Sequence, residues 1–150
     1  MLTDDHTADL ESLVSLFSAN IAQYRSSGYD EANTRTDFID KFFILLDWDM
    51  ANNQGFSESY RDVIREDKVK IGGFQKAPDY SFRIGGTRKF FVEAKKPSVN
   101  IKDAAEPAYQ VRRYAYTAKL PLSIVTNFAE LAVYDTRIKP GKNDKASAAQ

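Results

Sequence analysis

The chain has 150 residues, 43% of them hydrophobic, with 21 basic and 21 acidic side chains, no cysteine and a single histidine. That length is one domain's worth, enough to bury roughly 70% of the unfolded surface in a real core. The missing cysteines exclude disulfides and zinc–thiolate sites and make a reducing cytoplasm the expected setting.

Acidic Asp4, Asp5 and Asp9 stand where a secretory leader would be basic, and the longest apolar run, Phe42 to Leu46, is far short of a membrane span. Charge is unevenly spread. Residues 1–67 carry 5 basic and 14 acidic groups, and residues 68–150 carry 16 and 7. A basic second half suits a polyanionic partner, and it suits attraction between the two halves equally well.

From Thr7 to Tyr24, Leu10, Leu13, Val14, Phe17, Ile21 and Tyr24 recur at three- and four-residue spacing, which predicts an amphipathic helix stopped by Ser26-Ser27-Gly28. Asp30 is a good N-cap for a second helix reaching Leu46, whose buried side is Phe38, Ile39, Phe42, Phe43, Leu45 and Leu46. Glu31 sits in its first turn, where a carboxylate complements the helix dipole. Ala51 to Phe56 reads as a polar loop, Glu58 to Asp67 as a short helix, and Val69-Lys70-Ile71 as a strand broken by Gly72-Gly73. Neither Gly-Gly pair carries the Gly-Lys-Ser/Thr ending of a nucleotide P-loop.

The central stretch is Pro78-Asp79-Tyr80-Ser81-Phe82-Arg83-Ile84, a glycine turn, then Lys89-Phe90-Phe91-Val92-Glu93-Ala94-Lys95-Lys96-Pro97. Aromatic and β-branched residues mark both arms as strands. With a three-residue loop, Gly85-Gly86-Thr87, Ile84 faces Arg88 and Asp79 falls opposite Glu93; a one-residue slip breaks that pairing. Like charges ~5 Å apart repel by about 3 kcal/mol at an effective dielectric near 20, unless a cation sits between them. Lys95, two residues after Glu93, points to the same face, and Lys96 to the other. An exposed hairpin with a solvated salt bridge accounts for the same residues.

After Pro97 a helix is expected from Asp103 to Lys119, with Pro107 near its start and Gln110 and Tyr114 sharing one face. Leu120–Thr126 and Glu130–Arg137 read as two further strands, and the residues beyond 138 as a polar tail or linker. The expected fold is α/β. A mixed sheet of four or five strands has the N-terminal helices (7–47) on one side and the 103–119 helix on the other.

Pro-Asp, thirteen residues, then Glu-Ala-Lys resembles the PD-(D/E)xK nuclease motif. The run PDYSFRIGGTRKFFVEAKKP is similar to the N-terminal nuclease domains of type I restriction R subunits and of type IIG and ISP restriction-modification enzymes. Tyr29-Asp30-Glu31-Ala32-Asn33-Thr34-Arg35, Phe38-Ile39 and Asp47-Trp48-Asp49 resemble that family's opening helix, with Asp47 where relatives carry glycine. Gln110-x-x-x-Tyr114 resembles the element that accompanies the motif.

The resemblance implies a restriction-endonuclease-like core and a restriction-type, metal-dependent endonuclease hydrolysing phosphodiester bonds in double-stranded DNA, with Asp79, Glu93, Lys95 and Gln110 catalytic. Mg²⁺, or Mn²⁺ in its place, would be held by Asp79, Glu93, the Ala94 carbonyl and Glu31. Tyr114, Arg112, Arg113 and Lys96 would meet the DNA. Surface solubility accounts for the arginines nearly as well, and the helix dipole for Glu31. The family's methyltransferase or ATP-driven motor regions are the implied partners. A DNA- or subunit-binding module that does not cut alone is the alternative. His6 offers neither a zinc set nor a Ser-His-Asp arrangement.

Overall fold

A computed structural model describes residues 4–71 and 73–142. Gly72 and most of the expected tail, 143–150, lie outside the described residues.

The first predicted helix forms as α1 (Asp4–Ala19) followed by a single turn, α2 (Ile21–Tyr24), with the break at Asn20. Phe17 is buried, its ring stacked on Tyr24 and edge-on to Phe38 and Phe128, so the helix is pinned to the rest of the domain by aromatic contact. The second helix starts where Asp30 caps it, its Oδ1 accepting from the Asn33 N–H at 2.8 Å. It runs as α3 (Glu31–Thr34), a π turn (Arg35–Ile39) and α4 (Asp40–Leu45). In the π turn the Asp40 N–H donates to the Arg35 carbonyl, five residues back. Phe38, Ile39 and Phe43 are buried as expected, whereas Leu46 is 41% exposed. At the helix end the Trp48 N–H reaches the Phe43 carbonyl and the Asp47 N–H reaches that of Ile44, with Asp47 at φ +69°. This closes the helix as a left-handed cap, so Asp47 occupies a position that glycine fills at little cost.

Five strands build the main sheet: β1 (Val63–Arg65), β4 (Tyr80–Ile84), β5 (Thr87–Ala94), β6 (Leu122–Thr126) and β7 (Leu131–Asp135), in the order β1-β4-β5-β6-β7. All neighbours are antiparallel except β5 and β6. That parallel pair needs a crossover, supplied by α5 (Ala105–Thr117). A separate ribbon pairs β2 (Val69–Ile71) with β3 (Phe74–Lys76).

Strand alternation divides the core into two layers. Phe91 and Val125 pack with Val111, Tyr114 and Ala115 of α5, while Phe82, Val92 and Ala94 pack with Ile39, Phe43 and Met50 on the other face. Each fully buried aliphatic or aromatic side chain here contributes roughly 1.5–3 kcal/mol. The mixed five-stranded sheet between helical layers is the architecture expected from the sequence.

The segment 58–67 departs from expectation. Glu58–Tyr60 is a single 3-10 turn, and Val63–Arg65 is a strand rather than helix. Val63 is 1% exposed in the layer beneath α4, and β1 covers the free edge of β4 through Val63↔Phe82 pairing. A β-branched pair beside an open sheet edge gains more from that ladder than from an isolated helical turn.

The hairpin turn also differs, with a compensating consequence. Ile84 pairs with Thr87 across a two-residue Gly85-Gly86 turn, both glycines at positive φ, +58° and +80°. A bulge then shifts the register between Phe82 and Arg83, so Phe82 faces Phe90 and Tyr80 faces Val92. The bulge restores the residue that the shorter turn removed. Asp79 therefore meets Glu93, as a three-residue loop without a bulge would have had it.

Candidate active site

The β4–β5 hairpin carries two like-charged cross-strand pairs on its α5 side. Near the turn, Arg83 faces Arg88. Asp67 sits between them, accepting from Arg88 Nε at 2.7 Å and Arg83 Nη2 at 3.0 Å. Burial would raise the Asp67 carboxyl, but the hydrogen bonds from Arg88 and Arg83 outweigh it and hold the group below its ordinary range. This pair has its counter-ion built in.

At the other end the strands bring Asp79 and Glu93 together, and nothing so complete neutralises them. Asp79 Oδ2 accepts the Ala94 N–H at 2.7 Å, which fixes one oxygen against the backbone of β5. Glu93 is 8% exposed. Burial, hydrogen bonding to Asp79 and the Asp79 charge push its carboxyl up from 4.5 to about 9, against an opposing pull from Lys95. Near neutral pH Glu93 therefore keeps its proton beside Asp79.

Two cations border this pair, each tied to the helix that opens at Asp30. Lys95 Nζ lies 3.7 Å from Glu31 Oε1, and Arg35 Nη1 lies 3.6 Å from Asp79 Oδ1. Glu31 and Arg35 are four residues apart and share a helix face. The helix thus offers an acid and a base to a base and an acid on the hairpin. Lys95 is itself held by its N–H, which donates to the Thr126 carbonyl of β6 at 2.9 Å.

Of the residues expected at the site, the structure joins Asp79, Glu93, Ala94 and Lys95 directly and brings Glu31 to Lys95 rather than onto the two carboxyls. Tyr114 lies close by, since burial and the charges of Glu93 and Asp79 all raise its hydroxyl. Gln110 stands one turn earlier on α5, its Nε2 3.4 Å from Glu106 Oε1. Arg113 is exposed, its guanidinium 6.0 Å from the Tyr109 ring, and Lys96 is partly exposed beside the hairpin. Arg112 lies elsewhere. It is 4% exposed, its guanidinium 5.1 Å from the Tyr134 ring under α5, because the helix turns that position into the core and away from any surface a DNA backbone could reach. Arg35 is the site residue that the sequence reading missed; its i, i+4 spacing from Glu31 was the available signal.

The donor set suits a hard cation held by few protein ligands. Among the described residues no three His, Cys, Asp or Glu side chains cluster as a metal cage. Two adjacent carboxyls are, however, what Mg²⁺ commonly takes, with water and substrate phosphate completing the octahedron. A buried Glu93 that keeps its proton beside a partly exposed Asp79 fits that chemistry, because a divalent ion can replace the proton.

A mixed five-stranded sheet between helical layers, with an Asp, a Glu and a Lys converging where β4 begins and β5 ends, is a restriction-endonuclease-like α/β domain. Residues 62–142 match the family described as the type I restriction enzyme R protein N terminus, and the chain belongs to that family. It is also 47% identical over 128 residues to the type II restriction enzyme and methyltransferase RM.Eco57I of Escherichia coli. The match covers 84% of this chain and 13% of that protein, so the chain spans about an eighth of the curated relative. No solved structure matches it. Among the described residues no helix is long and apolar enough to cross a membrane.

Proposed function

We propose that this domain is a Mg²⁺-dependent endonuclease of the PD-(D/E)xK type, hydrolysing phosphodiester bonds of double-stranded DNA within a restriction enzyme in the cytoplasm. The observation that carries the reading is the Asp79–Glu93 pair, forced together by the hairpin register with Lys95 alongside.

Asp79 and Glu93 would hold the ion, with the Ala94 carbonyl as backbone ligand and Glu31 adding negative charge nearby. Mn²⁺ would serve in place of Mg²⁺. Once bound, the ion supplies a water of lowered pKa and a positive charge for the phosphate. Lys95 orients the attacking water and balances charge in the transition state. The Glu31 carboxylate, 3.7 Å away, helps hold the Lys95 side chain in place. Asp79, anchored to the Ala94 N–H, is pre-positioned and needs little reordering. Gln110 and Tyr114 line the α5 side of the pair, where a phosphate would lie. Lys96 and Arg113 contribute sequence-independent attraction for the backbone. The larger enzyme's methyltransferase or motor regions would supply target choice.

Calorimetric titration with Mg²⁺ or Mn²⁺, paired with supercoiled-plasmid cleavage, tests the reading. Metal uptake and nicking that both vanish in Asp79→Ala, with cleavage alone lost in Lys95→Ala, are expected. A chain that takes up no metal at millimolar concentration would overturn it.

A further inference from the structure

We propose that Arg35 is a displaceable counter-ion of the candidate metal site, one that holds Asp79 in the metal-free protein and turns to a DNA phosphate when a divalent cation takes its place. The inference rests on the endonuclease reading and adds a residue and an order of events to it.

Three observations carry it. Arg35 Nη1 stands 3.6 Å from Asp79 Oδ1, while the other oxygen, Oδ2, accepts the Ala94 N–H. The contact is an ion pair too long for a strong hydrogen bond, unlike the 2.7 Å clasp of Arg88 on Asp67 along the same hairpin. Asp67, its side chain 10% exposed, is clasped by two arginines, whereas Asp79, 18% exposed, meets Arg35 through a longer contact. Arg35 also opens the π turn, a rare helical distortion that recurs at functional sites. Its helix faces the carboxyls from the side opposite α5. A guanidinium released from Asp79 there has a planar, bidentate fork suited to a phosphate.

A cation arriving between Asp79 and Glu93 meets Arg35 as a competitor for the same carboxylate oxygen. Removing the competitor therefore tightens metal binding, while it weakens DNA binding only in the metal-loaded state. A residue that merely stabilised the fold would move neither in that pattern.

The experiment compares the unmodified chain with Arg35→Met and Arg35→Lys. Mn²⁺ affinity is measured by calorimetry. Affinity for a generic duplex oligonucleotide is measured by fluorescence anisotropy, with and without Mn²⁺, the DNA checked intact on a gel. Arg35→Met is expected to bind Mn²⁺ ~3–10-fold more tightly, as befits loss of a nearby positive charge. It is expected to match the parent on DNA without metal and to fall ~10-fold behind it once loaded, the cost of one charge-assisted phosphate contact. Arg35→Lys, which keeps the charge and loses the fork, should retain near-parental Mn²⁺ affinity and fall behind on loaded DNA. Unchanged or weaker Mn²⁺ binding by Arg35→Met, with the melting temperature retained, overturns the inference and leaves the endonuclease reading standing. Tighter Mn²⁺ binding with parental DNA affinity overturns the phosphate role. Absence of Mn²⁺ uptake by the unmodified chain overturns both.

Discussion

Replacing Glu93 by Gln tests the electrostatics of the site through stability. The folded protein keeps the Glu93 proton up to about pH 9, whereas an ordinary glutamate releases it near 4.5. Between those values the folded state binds more protons than the unfolded one, so the stability Glu93 permits is full below pH 4.5 and declines as pH rises towards 9. Each pH unit in that window costs about 1.4 kcal/mol, which sets a ceiling of about 3 kcal/mol at pH 7 and less than ~1 kcal/mol at pH 5. Because Lys95 pulls against the burial of Glu93, about 1–3 kcal/mol is the expectation at pH 7. Glutamine keeps the shape and a donor for Asp79 yet has no charge to bury. Glu93→Gln should therefore melt about 3–10 °C above the unmodified chain at pH 7 in EDTA, with the gap widening at pH 8 and nearly closing at pH 5. Thermal denaturation followed by circular dichroism across that range reads the difference directly. A gap independent of pH, or a variant less stable at pH 8, would refute the argument that Glu93 is a buried acid held neutral by its neighbours.

Asp67→Ala leaves Arg83 and Arg88 facing each other and should cost about 3 kcal/mol in urea denaturation. The Asp67 contribution is present above its ordinary value of 3.8 and lost only as pH falls through the lower folded value, so the deficit should persist at pH 5. Gly86→Ala should lower the melting temperature markedly, about 2 kcal/mol or more, because a Cβ there would meet the Ser59 carbonyl oxygen at 2.5 Å in a backbone at φ +80°. Gly85→Asn, with nothing within 4 Å of the added carbon, should cost less than ~1 kcal/mol. Asp47→Gly relieves a side chain at φ +69° in the helix cap and should raise the unfolding free energy measured in urea by about 1 kcal/mol.

Much of this domain is legible in the order of its residues. Apolar spacing and the Asp30 cap placed the N-terminal helices, aromatic and β-branched arms placed the central hairpin, and strand alternation put Lys95 on the face of Glu93. These readings depend on interactions only a few residues apart, which is why local sequence sufficed. Even the Asp79–Glu93 pairing was reached, although by a loop one residue too long that the bulge happened to offset.

Tertiary structure decided what contacts across the chain must decide. Val63–Arg65, within a stretch expected to be helical, became a strand because β4 offered an open edge, which no local propensity announces. Arg112 went inward because α5 settles on Phe91 and Tyr134 with that side down, while Arg113 next to it stayed outside. Arg35 joined the site because helix and hairpin, 44 residues apart at Arg35 and Asp79, pack against each other. The two carboxyls were therefore visible from the chain itself, since their facing is a matter of strand register. The burial of Glu93, the proton it keeps and the cations around the pair were not, since charge energetics depend on what is packed alongside and how much water is left.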